Sequence, residues 1–324
     1  MATTTKIDVH AHYFPPVYGK MLERHGMGER IDGAPRPAWS EERQLAFMDD
    51  MDIEVAVLSP SSPAVNQGDD AEAIEVARDS NEYGAGLARR HPGRFVVAGT
   101  LPVPDAEGAI AEIRYCREKL GIRSFAMLTQ SCGVYLGSPE LEPVMEELDR
   151  QPCTVVLHPT RPARVPDSPA TALPDAFMEY FFDTTRAIVS MIVAGTFRKH
   201  PNIRFVVPHA GAVLPVLSDR LAVLSQAFPA GELDVMGDLA GLYYDLAGVS
   251  MPKQFDLVRQ VTDDSHILYG SDAPFTPPAL CRSFAAAMDQ RFDDGLATAV
   301  FRENALAIFP EIQDQANTNT KETL

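Results

Sequence analysis

Five side chains of this 324-residue chain have the types and spacing to hold a metal ion and to work beside it. His10 and His12 stand two apart in IDVHAH, His158 ends VVLHP, His209 lies in VVPHAG and Asp272 in ILYGSDAPF. Each comes at the end of an apolar run or just beyond it. Alternate side chains of an extended strand share a face, so His10 and His12 can reach one ion together, with Asp8 at the same parity beneath them. Neutral imidazole and carboxylate suit zinc and comparable divalent ions, and three or four such ligands with one open position make a catalytic site. A single histidine after a strand is more simply a hydrogen-bonded structural residue, but five such groups at four strand ends point to a metal. The remaining histidines have plainer readings. His91 and His200 precede proline at helix ends, where they face the carbonyl end of a helix dipole; His25 lies in an early loop and His266 opens a strand.

The elements that must position these groups follow a regular alternation. Eight short runs rich in β-branched residues fall at 6–10, 55–59, 94–100, 122–128, 154–158, 203–209, 242–247 and 266–270. Most are apolar almost throughout, as parallel strands covered by helices require. Helical patterns occupy 69–91, 105–120, 138–150, 185–200, about 213–227 and 252–262, and part of 279–308. Eight right-handed βαβ units predict an α/β fold, a single (β/α)8 TIM barrel over residues 1–312 with a polar tail at 313–324. In such a barrel every strand end named above opens on one mouth. Two connections, 13–43 after the first strand and 159–184 after the fifth, are long and crowded with proline. That argues against regular helix in either and suits lids or pocket walls.

Charge and composition narrow the function. Lys and Arg total 28 against 45 Asp and Glu, a net charge of −17. Such a surface repels nucleic-acid backbones and anionic lipid, so neither nucleic acid nor membrane is expected as a partner. An anionic substrate must then be drawn in by local cations. No apolar run approaches the roughly 18–20 residues that span a bilayer. The opening MATTTKIDVH shows no secretory pattern, and Cys116, Cys132, Cys153 and Cys281 form no CxxC pair, so reduced thiols and a cytoplasmic location are expected.

Taken in order, IDVHAHYFPP, LHPT, DTTRAIVSMIVAGTFRKHPNIRFVVPHAGAVLP and ILYGSDAPF resemble the amidohydrolase superfamily. Within it they are most similar to the aminocarboxymuconate-semialdehyde decarboxylase-like branch, and DGAPRPAWSEERQLAFMDD and LSPSSPA to its 6-methylsalicylate decarboxylase-type members. The resemblance runs from about residue 6 to residue 310. It implies a distorted barrel with one divalent metal, Zn2+ or Mn2+, held by His10, His12, His158 and Asp272, with His209 as the catalytic histidine beside it. It also implies that Arg220 holds a substrate carboxylate across a subunit boundary, hence a homodimer or dimer-based oligomer. Arg36 and Arg43 are the nearest candidates for a second substrate arginine, although their spacing differs from the family pattern. No lysine stands at the fourth or fifth strand end, so no carboxylated lysine is expected.

The chemistry so implied is nonoxidative release of CO2 from an aromatic or dienyl carboxylic acid, salicylate- or resorcylate-like. The metal would serve as template and Lewis acid, Asp272 or His209 would move the proton, and Phe14, Phe182 and Phe275 would wall a ring. The alternative is metal-assisted hydrolysis of a lactone or another cyclic ester, with His209 as base. Fold alone does not separate the two.

Overall fold

Apolar, β-branched sequence forms the eight strands, and the computed structural model, which describes residues 4–227 and 233–314, curls them into one parallel barrel. The strands are β1 (Lys6–His12), β2 (Ile53–Ser59), β3 (Phe95–Thr100), β4 (Ser124–Leu128), β5 (Cys153–His158), β6 (Ile203–Val207), β7 (Tyr243–Asp245) and β8 (Ile267–Leu268). Each pairs in parallel with the next in chain order. The segment after β8 closes the ring on β1. Val9 N–H donates to Tyr269 O (3.0 Å), Asp272 N–H to His10 O (2.8 Å) and His12 N–H to Ala273 O (2.7 Å).

Strand alternation divides the core in two. Ile7, Val9, Val55, Val57, Val96, Ala98, Val156, Val206 and Leu268 fill the lumen, stoppered by Ile308, Phe309 and Ile312 of the last helical stretch. The intervening residues, among them Leu58, Phe95, Val97, Phe125, Val155 and Phe205, pack outward against the helices. Each fully buried Leu, Ile or Phe stabilises the barrel by about 1.5–3 kcal/mol. The helices start where the chain supplies caps: the Asp69 carboxylate accepts from Ala71 N–H (3.0 Å) and Glu72 N–H (3.2 Å) at the head of Asp70–Arg90.

The long connections do contain helix, contrary to the sequence expectation. Pro16–Arg24 and Glu41–Asp50 lie after β1, separated by a small hairpin (Arg30–Ile31 with Ala34–Pro35). Pro16 sits in the first helical turn, where a missing N–H costs nothing, so its presence did not exclude a helix. After β5 the helix begins at Glu179 rather than 185, leaving a loop up to Met178. The two long loops meet: Asp175 N–H donates to Asp32 O (3.0 Å). Residues 313 and 314 are still helical; the rest of the expected tail lies outside the described residues. No described helix is long and apolar enough to cross a membrane.

Candidate active site

A β-bulge places the first two candidate ligands. Asp8 pairs with Ala56 and Ala11 with Leu58, so three steps along β1 match two along β2. Bulges re-aim side chains, and this one turns His10 and His12 into the barrel mouth although Ile7 and Val9, of opposite parity, fill the lumen below. Asp8 therefore does not sit beneath the histidines on their own face, as simple parity predicts. It is wholly buried, and one carboxylate oxygen accepts from His10 N–H (3.1 Å) and Ser271 N–H (3.0 Å), tying β1 to the segment after β8.

His10, His12, His158 and Asp272 offer ligand atoms that all lie within 4.8 Å of one another. The three imidazoles are buried, and the Asp272 side chain, 20 % exposed, marks the open side. Each imidazole has its Nδ1 engaged: His10 with Asp245 Oδ2 (2.9 Å), His12 with Ser59 O (3.2 Å) and His158 with Pro159 O (2.7 Å). Such outer partners fix the tautomer and leave Nε2 as the ligand atom. Nε2 of His10 and of His12 is buried without a hydrogen-bond partner among the described residues, 3.6 and 3.3 Å from Asp272 Oδ1. Buried polar atoms are normally satisfied, and two orphaned lone pairs aimed at a carboxylate fit a divalent cation between them.

His209 stands beside this cluster, its ring centroid 5.0 Å from that of His10, with Phe181 stacked on its other side at 5.7 Å. Its backbone is left-handed (φ 55°), as is that of Asp272 (φ 60°), and such strain in non-glycine residues gathers at functional sites. Burial, joined by repulsion from His10, pushes the His209 imidazole down to about 4 against weaker pulls from Asp272 and Asp245. Burial also holds His12 below, and His158 well below, the ordinary histidine range. For His10 burial acts in the same direction, but the Asp245 and Asp272 carboxylates outweigh it and raise the group to about 9. Asp272, despite burial, is held below the usual carboxylate range by its histidine neighbours.

Asp245 is the participant that sequence reasoning missed. At the end of β7 its carboxylate takes His10 Nδ1 on one oxygen and, on the other, the N–H groups of His209 (3.0 Å) and Ala247 (3.0 Å). The signal was present in YYDLA, an acid closing an apolar strand, the same pattern that singled out Asp272.

Phe275 packs edge-on to His12 at 5.6 Å and against Phe14 at 5.9 Å, so these two form an aromatic wall. Phe182 is 45 % exposed, and its neighbour Phe181 is the residue against His209. Arg36 stacks over Phe14 at 5.2 Å; Arg43 is exposed on the helix Glu41–Asp50. Arg220, on the helix Leu214–Ala227 after β6, is exposed and makes no ion pair among the described residues. The other histidines pair with acids away from the mouth: His25 with Glu72, His91 with Glu41, His200 with Glu142 and His266 with Asp263.

Comparison with known proteins gives the same fold. The 6-methylsalicylic acid decarboxylase of Aspergillus aculeatus is 28 % identical, over 95 % of this chain and 97 % of that one. A crystal structure of an amidohydrolase II is 36 % identical over 94 % of this chain and 99 % of that one, with a TM-score of 0.90. The 5-carboxyvanillate decarboxylase of Novosphingobium aromaticivorans, solved with manganese and a nitrobenzoic acid, is 23 % identical over 94 % of this chain and 96 % of that one, at a TM-score of 0.81. The amidohydrolase family model matches residues 7–310, and the chain belongs to that family.

Proposed function

We propose that this protein is a metal-dependent, nonoxidative decarboxylase of an aromatic carboxylic acid of the salicylate or resorcylate kind. The observation that carries the reading is the convergence of four candidate ligand atoms within 4.8 Å, beside a half-buried imidazole held below the ordinary histidine range and an aromatic wall. The naming of the compared relatives as aromatic-acid decarboxylases supports it. His10, His12, His158 and Asp272 hold the ion, which is manganese or zinc; when bound it supplies a template for the substrate's oxygens and polarises them.

The chain's own groups do the rest. Phe14 and Phe275 take one face of the ring and exclude water from it, with Phe182 at the loop edge. His209, neutral above pH about 4, accepts a proton from the substrate's ring hydroxyl and returns it to the ring carbon that carries the carboxylate, the phenolate oxygen being reprotonated from solvent as product leaves. The C–C bond then breaks, its electron pair restores the aromatic ring, and CO2 leaves. Asp272, ionised and on the open side, orients that proton transfer. Arg220 holds a carboxylate in a neighbouring copy's site. Hydrolysis of a cyclic ester uses the same ligands, but no observation favours it, and the compared relatives named for an activity are decarboxylases. The four cysteines are free, which suits the reducing cytoplasm expected from the sequence.

The test is CO2 release from a panel of salicylates and resorcylates, with lactones as controls, by protein loaded with manganese or zinc. His209→Ala is expected to retain the metal and lose about 10²–10⁴-fold in turnover. Ring-opened product from the lactones without CO2 from the acids, or undiminished turnover in His209→Ala, would contradict the assignment.

A further inference from the structure

Above the ligands, three loops from different parts of the chain converge on one carboxylate. Asp32 lies at the tip of the small hairpin after β1, in a left-handed conformation (φ 47°) that aspartate tolerates better than most residues. Its Oδ2 accepts from the Tyr180 hydroxyl (2.6 Å), at the start of the helix after β5, and from the Ser62 hydroxyl (2.5 Å), in the loop after β2. The Ser62 hydroxyl also meets that of Thr160 at 2.7 Å, two residues past His158. Thr160 is held from the barrel side as well, its N–H donating to Thr129 Oγ1 (3.2 Å), whose own proton goes to buried Asp183. The Asp32 carbonyl accepts from Asp175 N–H (3.0 Å), so both backbone and side chain of one residue bind the β5 loop. Beside it Gly33 (φ 83°) lies so close to Pro174 that an added Cβ would come 3.0 Å from the proline Cα.

The Tyr180 ring, whose hydroxyl this carboxylate fixes, stands edge-on to the His158 imidazole at 6.1 Å. Ser62 is fully buried, so its two contacts are shielded from competing water. We infer that Asp32 is a positioning residue that latches the loops after β1, β2 and β5 over the mouth and, through Tyr180, sets the wall beside His158. It touches neither ligand atoms nor substrate; it acts by holding what does. Substrate therefore enters and leaves by parting these loops, and the strength of the latch sets how tightly an aromatic acid is enclosed. The inference rests on reading the mouth as the decarboxylase site.

Amide hydrogen exchange on the full chain tests the latch without relying on turnover. Asp32→Ala is expected to speed exchange about tenfold or more over residues 160–182, leaving the barrel strands protected as before. Asp32→Asn, which keeps the left-handed backbone and one acceptor oxygen, should fall between it and the parent. In the decarboxylation assay, Asp32→Ala should raise KM about tenfold while kcat changes much less, and Asn should restore part of the loss. Should Asp32→Ala fail to fold, Ser62→Ala and Tyr180→Phe each remove one donor and must show the same local effect. Unchanged exchange over 160–182, or an increase spread evenly through the barrel, would overturn the assignment. Altered local exchange in a protein that decarboxylates nothing would instead fault the decarboxylase reading.

Discussion

At the scale of single residues, the Asp245 and Asp272 carboxylates decide the charge of the His10 imidazole. Asp245 grips both His10 and the His209 backbone, so its substitution should act on the metal before it acts on the fold. Asp245→Asn is expected to weaken metal affinity about 10–100-fold with the barrel intact, read by chelator competition; unchanged affinity would exclude this role. The titrations make a second statement. His10, raised to about 9, holds a proton at neutral pH in chelated protein, whereas His12 and His158 do not. Metal uptake should thus release one proton, not three, and affinity should rise about tenfold per pH unit between 7 and 8. Calorimetry in buffers of different ionisation enthalpy counts that proton, and a count of zero or three would contradict the assignment. The sign for stability follows: with its folded pKa above the unfolded 6.5, the charged His10 stabilises chelated protein fully below pH 6.5 and progressively less as pH rises through 9. The candidate cluster was legible in the sequence because His10, His12, His158 and Asp272, with His209 beside them, repeat one pattern at strand ends. Asp245 was not read, since a lone acid in YYDLA is also what an ordinary strand terminus looks like.

At the scale of elements, the seam between β1 and the segment after β8 carries the most consequence. Gly270 lets the two approach: a Cβ there would stand 2.8 Å from His10 Cβ and 3.1 Å from Ala247 Cβ. A Cβ is fixed by its backbone, so neither neighbour can swing away. Gly270→Ala should cost about 1–3 kcal/mol of stability in a denaturant titration and loosen the metal in the same protein. A variant of parental stability and affinity would show that the seam yields. Hydrophobic runs made all eight strands legible, because buried parallel strands are apolar on both faces. The bulge in β1 was not, since one extra residue leaves no mark in composition. Helices within the proline-rich loops escaped too: Pro16 at a helix start reads the same in sequence as proline in a turn.

At the scale of the whole molecule, an acidic barrel with an anion as its proposed substrate needs a local cation, and Arg220, exposed and without an ion pair among the described residues, is the candidate. If it serves a neighbouring copy, mixing Arg220→Ala with His158→Ala protein should restore activity to part of the population, because hybrid pairs contain one complete site. No recovery after demonstrated subunit exchange would exclude action of Arg220 across the subunit boundary. The ring closure itself orders events in time. His10 and His12 leave the ribosome some 260 residues before their partner Asp272 and the backbone groups that seal the barrel against them. A nascent chain can therefore offer a passing ion only a loose histidine pair, later joined by His158, and selective loading has to wait until the segment after β8 has emerged to close the ring.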